Sequence, residues 1–242
     1  VTGGLRGLGV KVAEWLATTG RASSLLLVGR RPAKGAAAEA VRRLQELLPT
    51  EVRTCDVSEW KDVNALPGDC DLVVHCAGNV KDGLLFHLTE EDARQVLRPK
   101  IRGILHLKEH FPVAQLVAFS SSSGLFGPVG QATYAAANTF VDAIASSVQW
   151  GGWGEVGMAE DMGIAPLPGE RFLSVTQGLE CLGRVLDNLD GPSSGAAPRN
   201  LCVLGADWEA YRQNTDIFAP EDPLLAEIGA PPLAAPEATA IL

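Results

Sequence analysis

The sequence contains no apolar run near the roughly 18 residues that a membrane-spanning helix needs. It also has no CxxC pair and no metal-site spacing, so no metal is expected. The five scattered cysteines indicate buried thiols in a reducing compartment, hence a cytoplasmic protein. The four histidines form no catalytic or metal pair, and we interpret them as structural. The cysteines are Cys55, Cys70, Cys76, Cys181 and Cys202, and the histidines are His75, His87, His106 and His110.

Positive charge is also scarce, because 20 Lys and Arg face 29 Asp and Glu, for a formal net charge of −9. Nucleic acids and anionic membranes bind basic patches, so neither is expected as a partner. A hydrophobic content of 46% with 20% charged residues is ordinary for a globular protein, and 242 residues suit one domain with a buried core.

Strand and helix signals alternate along most of the chain. Short apolar runs such as residues 25–28 are typical of parallel strands buried on both faces, and apolar residues recurring every three or four positions predict helices. We expect strands near 25–28, 52–55, 72–75, 116–119, 148–150 and 201–204, and helices near 10–19, 34–48, 89–97, 100–111, 134–145 and 173–189. This order predicts an α/β fold with a doubly wound, Rossmann-like parallel sheet.

Both ends depart from this pattern. A glycine loop at Gly3 needs a preceding strand, of which only the end could be present, so we expect a truncated first strand in a piece of a longer protein. Residues 219–242 carry five prolines among alanines and acids, which predicts an extended linker after a domain at residues 1–218.

Several loop residues suit a dinucleotide. Glycines at positions 3, 7 and 9 would let the backbone approach a pyrophosphate at a helix N-terminus, although such clusters also mark plain turns. Arg30 follows the second strand, where an arginine accommodates the 2′-phosphate of NADPH; a solvated surface arginine is the alternative. Asp56 is placed to bond the adenine edge, or has no role. Ala77 and Gly78 would let the dinucleotide lie close to the backbone.

A hydroxyl and a phenol flank the Ser/Gly-rich loop that follows residues 116–119. Ser121 precedes Tyr134 by thirteen residues, and Asn138 follows Tyr134 one helical turn later. Donors aimed at one oxygen suit carbonyl reduction, in which that oxygen is polarised and protonated. A free tyrosine titrates near 10, so a nearby ammonium is needed to favour proton transfer at neutral pH. The serines at 120, 122 and 123 are alternatives for the active hydroxyl, and a lone tyrosine here often only packs.

Five segments, taken in this order, resemble ketoreductase domains of modular polyketide synthases and related fatty-acid synthases, within the short-chain dehydrogenase/reductase superfamily. They are VTGGLRGLG, VVHCAGNVKDG, LRPKIRGILHL, FSSSSGLFGPVGQATYAAANTFVDA and VQWGGWGEVGMA. The superfamily at large has a lysine four residues after the tyrosine. Here Asn138 stands at that place and Lys100 lies upstream, an exchange that these ketoreductase domains share.

The resemblance implies NADPH-dependent reduction of a β-ketoacyl thioester carried by the phosphopantetheine arm of an acyl carrier protein, beside other synthase domains. Tyr134 would donate the proton and Ser121 would bind the carbonyl oxygen. Lys100 would lower the pKa of the phenol and hold the nicotinamide ribose, and Asn138 would support the proton relay. The implied cofactor-binding residues are Gly3, Gly7, Leu8, Gly9, Arg30, Asp56, Val57, Ala77, Gly78, Trp150 and Gly151.

The resemblance also concerns the substrate side. Residues 157–173 resemble a lid over the substrate arm. One subgroup carries an LDD motif where this chain has Val80, Lys81 and Asp82, and the opposite subgroup has a tryptophan where this chain has Phe126. We lean to the LDD-type hand of the alcohol product.

Two further functions stay open, a catalytically silent structural ketoreductase-like domain and a free-standing short-chain reductase of small ketones. The intact candidate residues favour activity over a scaffold, and the proline-rich tail favours a multidomain chain. Residues 145–147 alone must join the catalytic helix to the next strand, a shorter connection than the family has, so we expect a short helix there.

Overall fold

The computed structural model describes residues 1–188, 199–212 and 239–241. Within these ranges the strands are β1 (Leu25–Gly29), β2 (Thr50–Thr54), β3 (Leu72–His75), β4 (Gln115–Ser121), β5 (Ser146–Trp150), β6 (Glu170–Arg171), β7 (Asn200–Ala206) and β8 (Thr239–Ile241). The helices are α1 (Gly7–Thr18), α2 (Ala36–Leu47), α3 (Trp60–Val63), α4 (Glu90–His110), α5 (Ser122–Phe126), α6 (Ala132–Ile144), α7 (Met158–Asp161), α8 (Val175–Asp187) and α9 (Trp208–Arg212), with a 3-10 turn at Leu85–His87. No helix in these ranges has both the length and the apolar character needed to cross a membrane.

The parallel strands follow the spatial order β2-β1, then β3-β4-β5-β7. Thr2 joins the two groups, because it forms parallel bridges with Val28 on one side and His75 on the other. Its backbone N–H donates to the carbonyl of Val74 at 3.0 Å, and its own carbonyl accepts from the N–H of Cys76 at 3.2 Å. The predicted α/β fold with a parallel Rossmann-like sheet is confirmed, with β6 and β8 added antiparallel to β7.

Helices cover both faces of the sheet, as β4 illustrates. Val117 and Phe119 belong to the core cluster that contains Leu16 of α1, whereas Ala118 packs in the cluster that contains Ile104 of α4. Successive strand residues point to opposite faces, so each buried strand contributes side chains to the hydrophobic core on either side of the sheet. A fully buried Leu, Ile, Val or Phe side chain contributes about 1.5–3 kcal/mol, and this explains the continuous apolar runs of the sequence.

Helix α4 corrects the sequence interpretation. Two helices were predicted, at 89–97 and 100–111, but one helix of 21 residues runs through Pro99. The predicted start is right, because Thr89 and Asp92 form a capping box. Proline has no N–H, so the carbonyl four residues earlier, that of Gln95, loses its helical partner. The side chain of Asn79 replaces it, since its Nδ2 donates to that carbonyl at 3.0 Å.

Replacing Asn79 with alanine is therefore expected to destabilise the protein by about 1 kcal/mol, because the Gln95 carbonyl is left unpaired. Urea unfolding of the wild type and Asn79→Ala measures this loss. The Pro99→Ala change supplies the missing N–H, so Asn79→Ala should cost clearly less in a Pro99→Ala background, where only the exposed bond from Arg30 to Asn79 is lost. Equal costs in both backgrounds would contradict this account of α4.

Helix α6 joins β5 through Ala145 alone, which has extended backbone angles. The predicted short connection is thus shorter still, and the helix gains its length by starting at Ala132, two residues before the predicted start. The buried carboxylate of Asp142, near the end of α6, links this helix to β5. It accepts hydrogen bonds from Ser147 Oγ at 2.5 Å and Gln149 Nε2 at 2.8 Å, both on β5.

The last predicted segments are only partly described. The segment interpreted as a lid, residues 157–173, contains α7 and β6. The predicted linker at 219–242 lies outside the described residues except for β8, whose backbone pairs with β7 at residues 203–205. The domain boundary at residue 218 stays a prediction.

Candidate active site

A pocket of about 400 Å³ lies at the carboxyl ends of β3, β4 and β5, where ligands bind in open α/β sheets. It reaches from Leu8 in the first turn of α1 to Phe172 beside β6. Ser121, Tyr134 and Lys100 all line it, so three elements that are distant in sequence bring the hydroxyl, the phenol and the ammonium together.

Ser121 ends β4 and caps α5, since its Oγ accepts a hydrogen bond from the backbone N–H of Ser123 at 3.1 Å. The predicted loop therefore contains a short helix, which its serines and glycine did not indicate. Ser120, Ser122 and Ser123 line the pocket as well. Ser121 is the serine whose side chain interacts with the Tyr134 phenol.

Tyr134 lies in the first turn of α6 and is 8% exposed. Burial raises the pKa of its phenol, while hydrogen bonding from Ser121 and Asn138 acts in the opposite direction. The phenol is therefore protonated at neutral pH, the state that a proton donor needs. Asn138, fully buried one turn later, donates from Nδ2 to the Tyr134 carbonyl at 2.9 Å, and its Oδ1 has no partner.

Lys100 projects from α4 and is 3% exposed, so a solvated helix lysine is excluded. Its Nζ donates to the backbone carbonyl of Phe119 on β4. Burial lowers the pKa of Lys100 to about 8, against the opposing effects of Cys76 and Asp142. Gly78 makes room for this side chain, because a Cβ there would lie 2.9 Å from Lys100 Cε.

The glycine loop has the shape of a phosphate cradle. Gly3 has φ +66° and a Cβ there would lie 3.1 Å from the Ala77 nitrogen. A Cβ on Gly9 would lie 2.3 Å from the Gly3 carbonyl oxygen. Helix α1 begins at Gly7 and no side chain caps it, so its first N–H groups are available to an anion. These features fit a dinucleotide pyrophosphate.

Of the predicted cofactor residues, Leu8, Gly78, Trp150 and Gly151 line the pocket. The seven others do not, namely Gly3, Gly7, Gly9, Arg30, Asp56, Val57 and Ala77. The Arg30 guanidinium donates to Asn79 Oδ1 at 3.0 Å. The Asp56 carboxylate accepts from the backbone N–H of Ser58 at 2.9 Å. The Val57 side chain is buried in a core cluster, and its carbonyl lies 2.9 Å from His106 Nδ1.

The other end of the pocket was only partly anticipated. Trp150 and Gly151 line it as predicted, and a Cβ on Gly151 would lie 2.6 Å from Leu204 Cδ1. The neighbouring Gly152 lies against the ring of Phe172, which would be 2.3 Å from a Cβ there. Phe172 was not singled out from the sequence, since nothing local marks a contact across twenty residues.

The histidines and cysteines have surroundings that suit structural roles. His75 is fully buried with Nδ1 2.7 Å from Thr2 Oγ1, and burial lowers its pKa to about 3, so the ring is neutral. All five cysteines are free. Among the described residues, no group of three or more His, Cys, Asp or Glu side chains is arranged to hold a metal ion.

Comparison with known proteins identifies similar sequences and structures. A family model described as "KR domain" matches residues 1–159. Over 182 residues the chain is 43% identical to the spectinabilin polyketide synthase system protein NorB of Streptomyces orinoci, an alignment that covers 66% of this chain and 8% of that protein. The chain thus spans less than a tenth of the length of this curated relative.

Two solved structures are similar over most of the chain. An A-type ketoreductase from a modular polyketide synthase has a TM-score of 0.75 and 31% identity, and the match covers 88% of this chain and 48% of that one. The ketoreductase from the first module of phoslactomycin biosynthesis in Streptomyces sp. HK803 has a TM-score of 0.77 and 28% identity, covering 90% of this chain and 56% of that one.

Proposed function

The chain belongs to the KR domain family, and we propose on that premise that it reduces a β-ketoacyl thioester to the β-hydroxyacyl thioester with NADPH. One observation carries the proposal: the buried Lys100 ammonium shares a pocket with Tyr134 and Ser121. A silent scaffold would not need a buried cation beside a buried phenol, since each is costly to bury.

In the proposed reaction the carbonyl carbon receives a hydride and the carbonyl oxygen a proton. Bound NADPH would supply the hydride. Ser121 binds the ketone oxygen, and Tyr134 donates its proton as negative charge develops there. The Lys100 ammonium stabilises the phenolate that remains. Asn138 lies one turn after Tyr134 on α6, and its Oδ1 has no hydrogen-bond partner among the described residues, which suits a role in returning the proton.

For the cofactor we propose that the pyrophosphate lies on the N-terminus of α1, bordered by Gly3, Gly7, Leu8 and Gly9. Ala77 and Gly78 border it from β3, and Trp150 with Gly151 lies at the nicotinamide end. Asp56 and Val57 would face the adenine, and Arg30 the 2′-phosphate.

Replacing Arg30 with aspartate is expected to reduce the preference for NADPH over NADH at least tenfold, because a carboxylate repels the 2′-phosphate and suits a free ribose. The ratio of kcat/KM for the two cofactors measures this preference. Arg31→Asp is the matched control, with the same charge change one residue further. An unchanged ratio in Arg30→Asp would remove Arg30 from the phosphate site.

We further propose that the substrate is carried by an acyl carrier protein and that the chain, a domain at residues 1–218 with a following linker, works beside other domains of a cytoplasmic synthase. We propose that the alcohol product has the configuration formed by ketoreductases with the LDD motif. Asp82 is the retained residue of that motif and faces the pocket, whereas Lys81 turns toward Asp92, 3.9 Å away.

NADPH oxidation with a β-ketoacyl thioester mimic tests the proposed function. The expected result is thioester-dependent loss of NADPH absorbance and a β-hydroxy product, whose hand chiral chromatography identifies. A folded wild type that consumes no NADPH, or consumes it without forming this alcohol, would overturn the proposal.

A further inference from the structure

Four side chains form a hydrogen-bonded row along the pocket wall, from Ser121 to a carboxylate. Ser121 Oγ donates to Ser123 Oγ at 3.1 Å, and Ser123 Oγ donates to Gln131 Oε1 at 2.6 Å. Gln131 Nε2 then donates to both oxygens of Asp82, at 3.1 Å each. We name these residues, Ser121, Ser123, Gln131 and Asp82, the serine row.

The carboxylate gives the serine row a single direction. An ionised Asp82 only accepts hydrogen bonds, so the Gln131 amide must present its NH₂ group to Asp82 and its oxygen to Ser123. Ser123 must then donate to Gln131, and its oxygen is left to accept from Ser121. Hydrogen bonds in such a row polarise and strengthen one another.

The row is anchored on both sides. The backbone N–H of Ser123 donates to Ser121 Oγ at 3.1 Å, so Ser123 contacts this oxygen twice. The segment that carries Asp82 is tied to the loop before α6, because the N–H of Gly83 donates to the Gly130 carbonyl at 2.8 Å. Each end of the serine row is therefore held by a backbone hydrogen bond, one at Ser121 and one beside Asp82.

We propose that Ser123 is a positioning residue that fixes the Ser121 hydroxyl, and that Gln131 and Asp82 set its direction. The consequence for rate rests on the proposed function, whereas the consequence for the neighbouring phenol does not. In the serine row the Ser121 proton is directed to Ser123. The proton is released to a ketone oxygen only when a substrate competes for it.

Removing the Ser123 hydroxyl is expected to lower kcat about tenfold, because one donor to the oxyanion loses its fixed position. The KM for the thioester mimic should change less than twofold, and Ser123→Thr, which keeps a hydroxyl, should recover most of the rate. Ser122→Ala is the matched control, with the same change one residue away. In a Ser121→Ala background Ser123→Ala should have no further effect, since a positioning residue acts only through its target.

A second measurement is independent of turnover. Tyr134 and Tyr211 are the only tyrosines, and burial raises the pKa of Tyr211 strongly, so tyrosinate absorbance follows Tyr134 first. Ser123→Ala leaves the Ser121 proton free to bind the phenolate and should lower the pKa of Tyr134. Asp82, Lys100 and Glu170, the charged groups among the described residues that line its pocket, stay in place in this variant. The urea unfolding midpoint of Ser123→Ala should equal that of the wild type, which would exclude a general loss of stability as the cause of the pKa change.

The outcomes separate the two proposals. A wild type that does not reduce the thioester would overturn the proposed function. The serine row would still be supported if Ser123→Ala lowered the Tyr134 pKa in the wild-type background but left it unchanged in the Ser121→Ala background. An active wild type would overturn the serine row if Ser123→Ala kept its kcat and its Tyr134 pKa. Equal effects of Ser123→Ala with and without Ser121 would also overturn it, because they would show a merely structural role.

Discussion

Replacement of Tyr134 by phenylalanine should reduce thioester-dependent NADPH oxidation by about 10²–10⁴-fold, the usual contribution of a positioned general acid. The change removes only the hydroxyl, and the ring keeps its packing against Val96 and Ala137. The phenol is protonated at rest because burial raises its pKa, so the lost group is the proton donor itself. Stopped assays that quantify the alcohol product extend the measurement to very slow variants.

Tyr211→Phe provides the matched control, because Tyr211 is the other tyrosine, is also buried and lines the same pocket. This variant should keep most of the activity. If Tyr134→Phe matched the wild type while folding normally, Tyr134 would not be the proton donor.

Replacement of Gly9 by alanine should weaken NADPH binding at least tenfold and lower the free energy of unfolding by about 1–3 kcal/mol. The added Cβ would lie 2.3 Å from the carbonyl oxygen of Gly3, and backbone cannot move away as a flexible side chain can. The glycine loop must therefore shift away from the N-terminus of α1. Fluorescence titration with NADPH and urea unfolding measure the two losses.

Gly68→Ala makes the same chemical change where no atom lies within 4 Å of the new Cβ, so it should alter neither quantity. A Gly9→Ala protein that bound NADPH with wild-type affinity would show that the phosphates do not rest on this loop.

The parts of the site that local sequence predicts are those with short-range causes. Tyr134 and Asn138 share a helix face because four residues make about one turn. Thr89 and Asp92 form a capping box, which predicts the start of α4. Lys100 was assigned through the family resemblance alone, since its place in the same pocket as Tyr134 depends on the packing of α4 against α6 rather than on spacing.

The errors have long-range causes. Pro99 predicts a break in the helix. The break does not occur, and the Asn79 side chain, which lies in another segment, donates to the Gln95 carbonyl that Pro99 leaves without a partner. Gln131 carries no local mark of its contact with Asp82, which lies 49 residues earlier. The contact of Arg30 with Asn79 also has no local mark in the sequence, because it depends on where two strands end, whereas the role of Arg30 toward a cofactor stays a prediction.

The Thr2 bridge has a thermodynamic consequence. The β1–β2 pair and the strands from β3 to β7 meet at a seam held by residues 1, 2 and 4, the same residues from which the glycine loop departs. Opening the seam would also disrupt the glycine loop that forms the proposed cofactor site, so the affinity for a dinucleotide and the stability of the sheet should be coupled. A ligand that binds this loop only when the seam is closed stabilises the whole sheet by mass action.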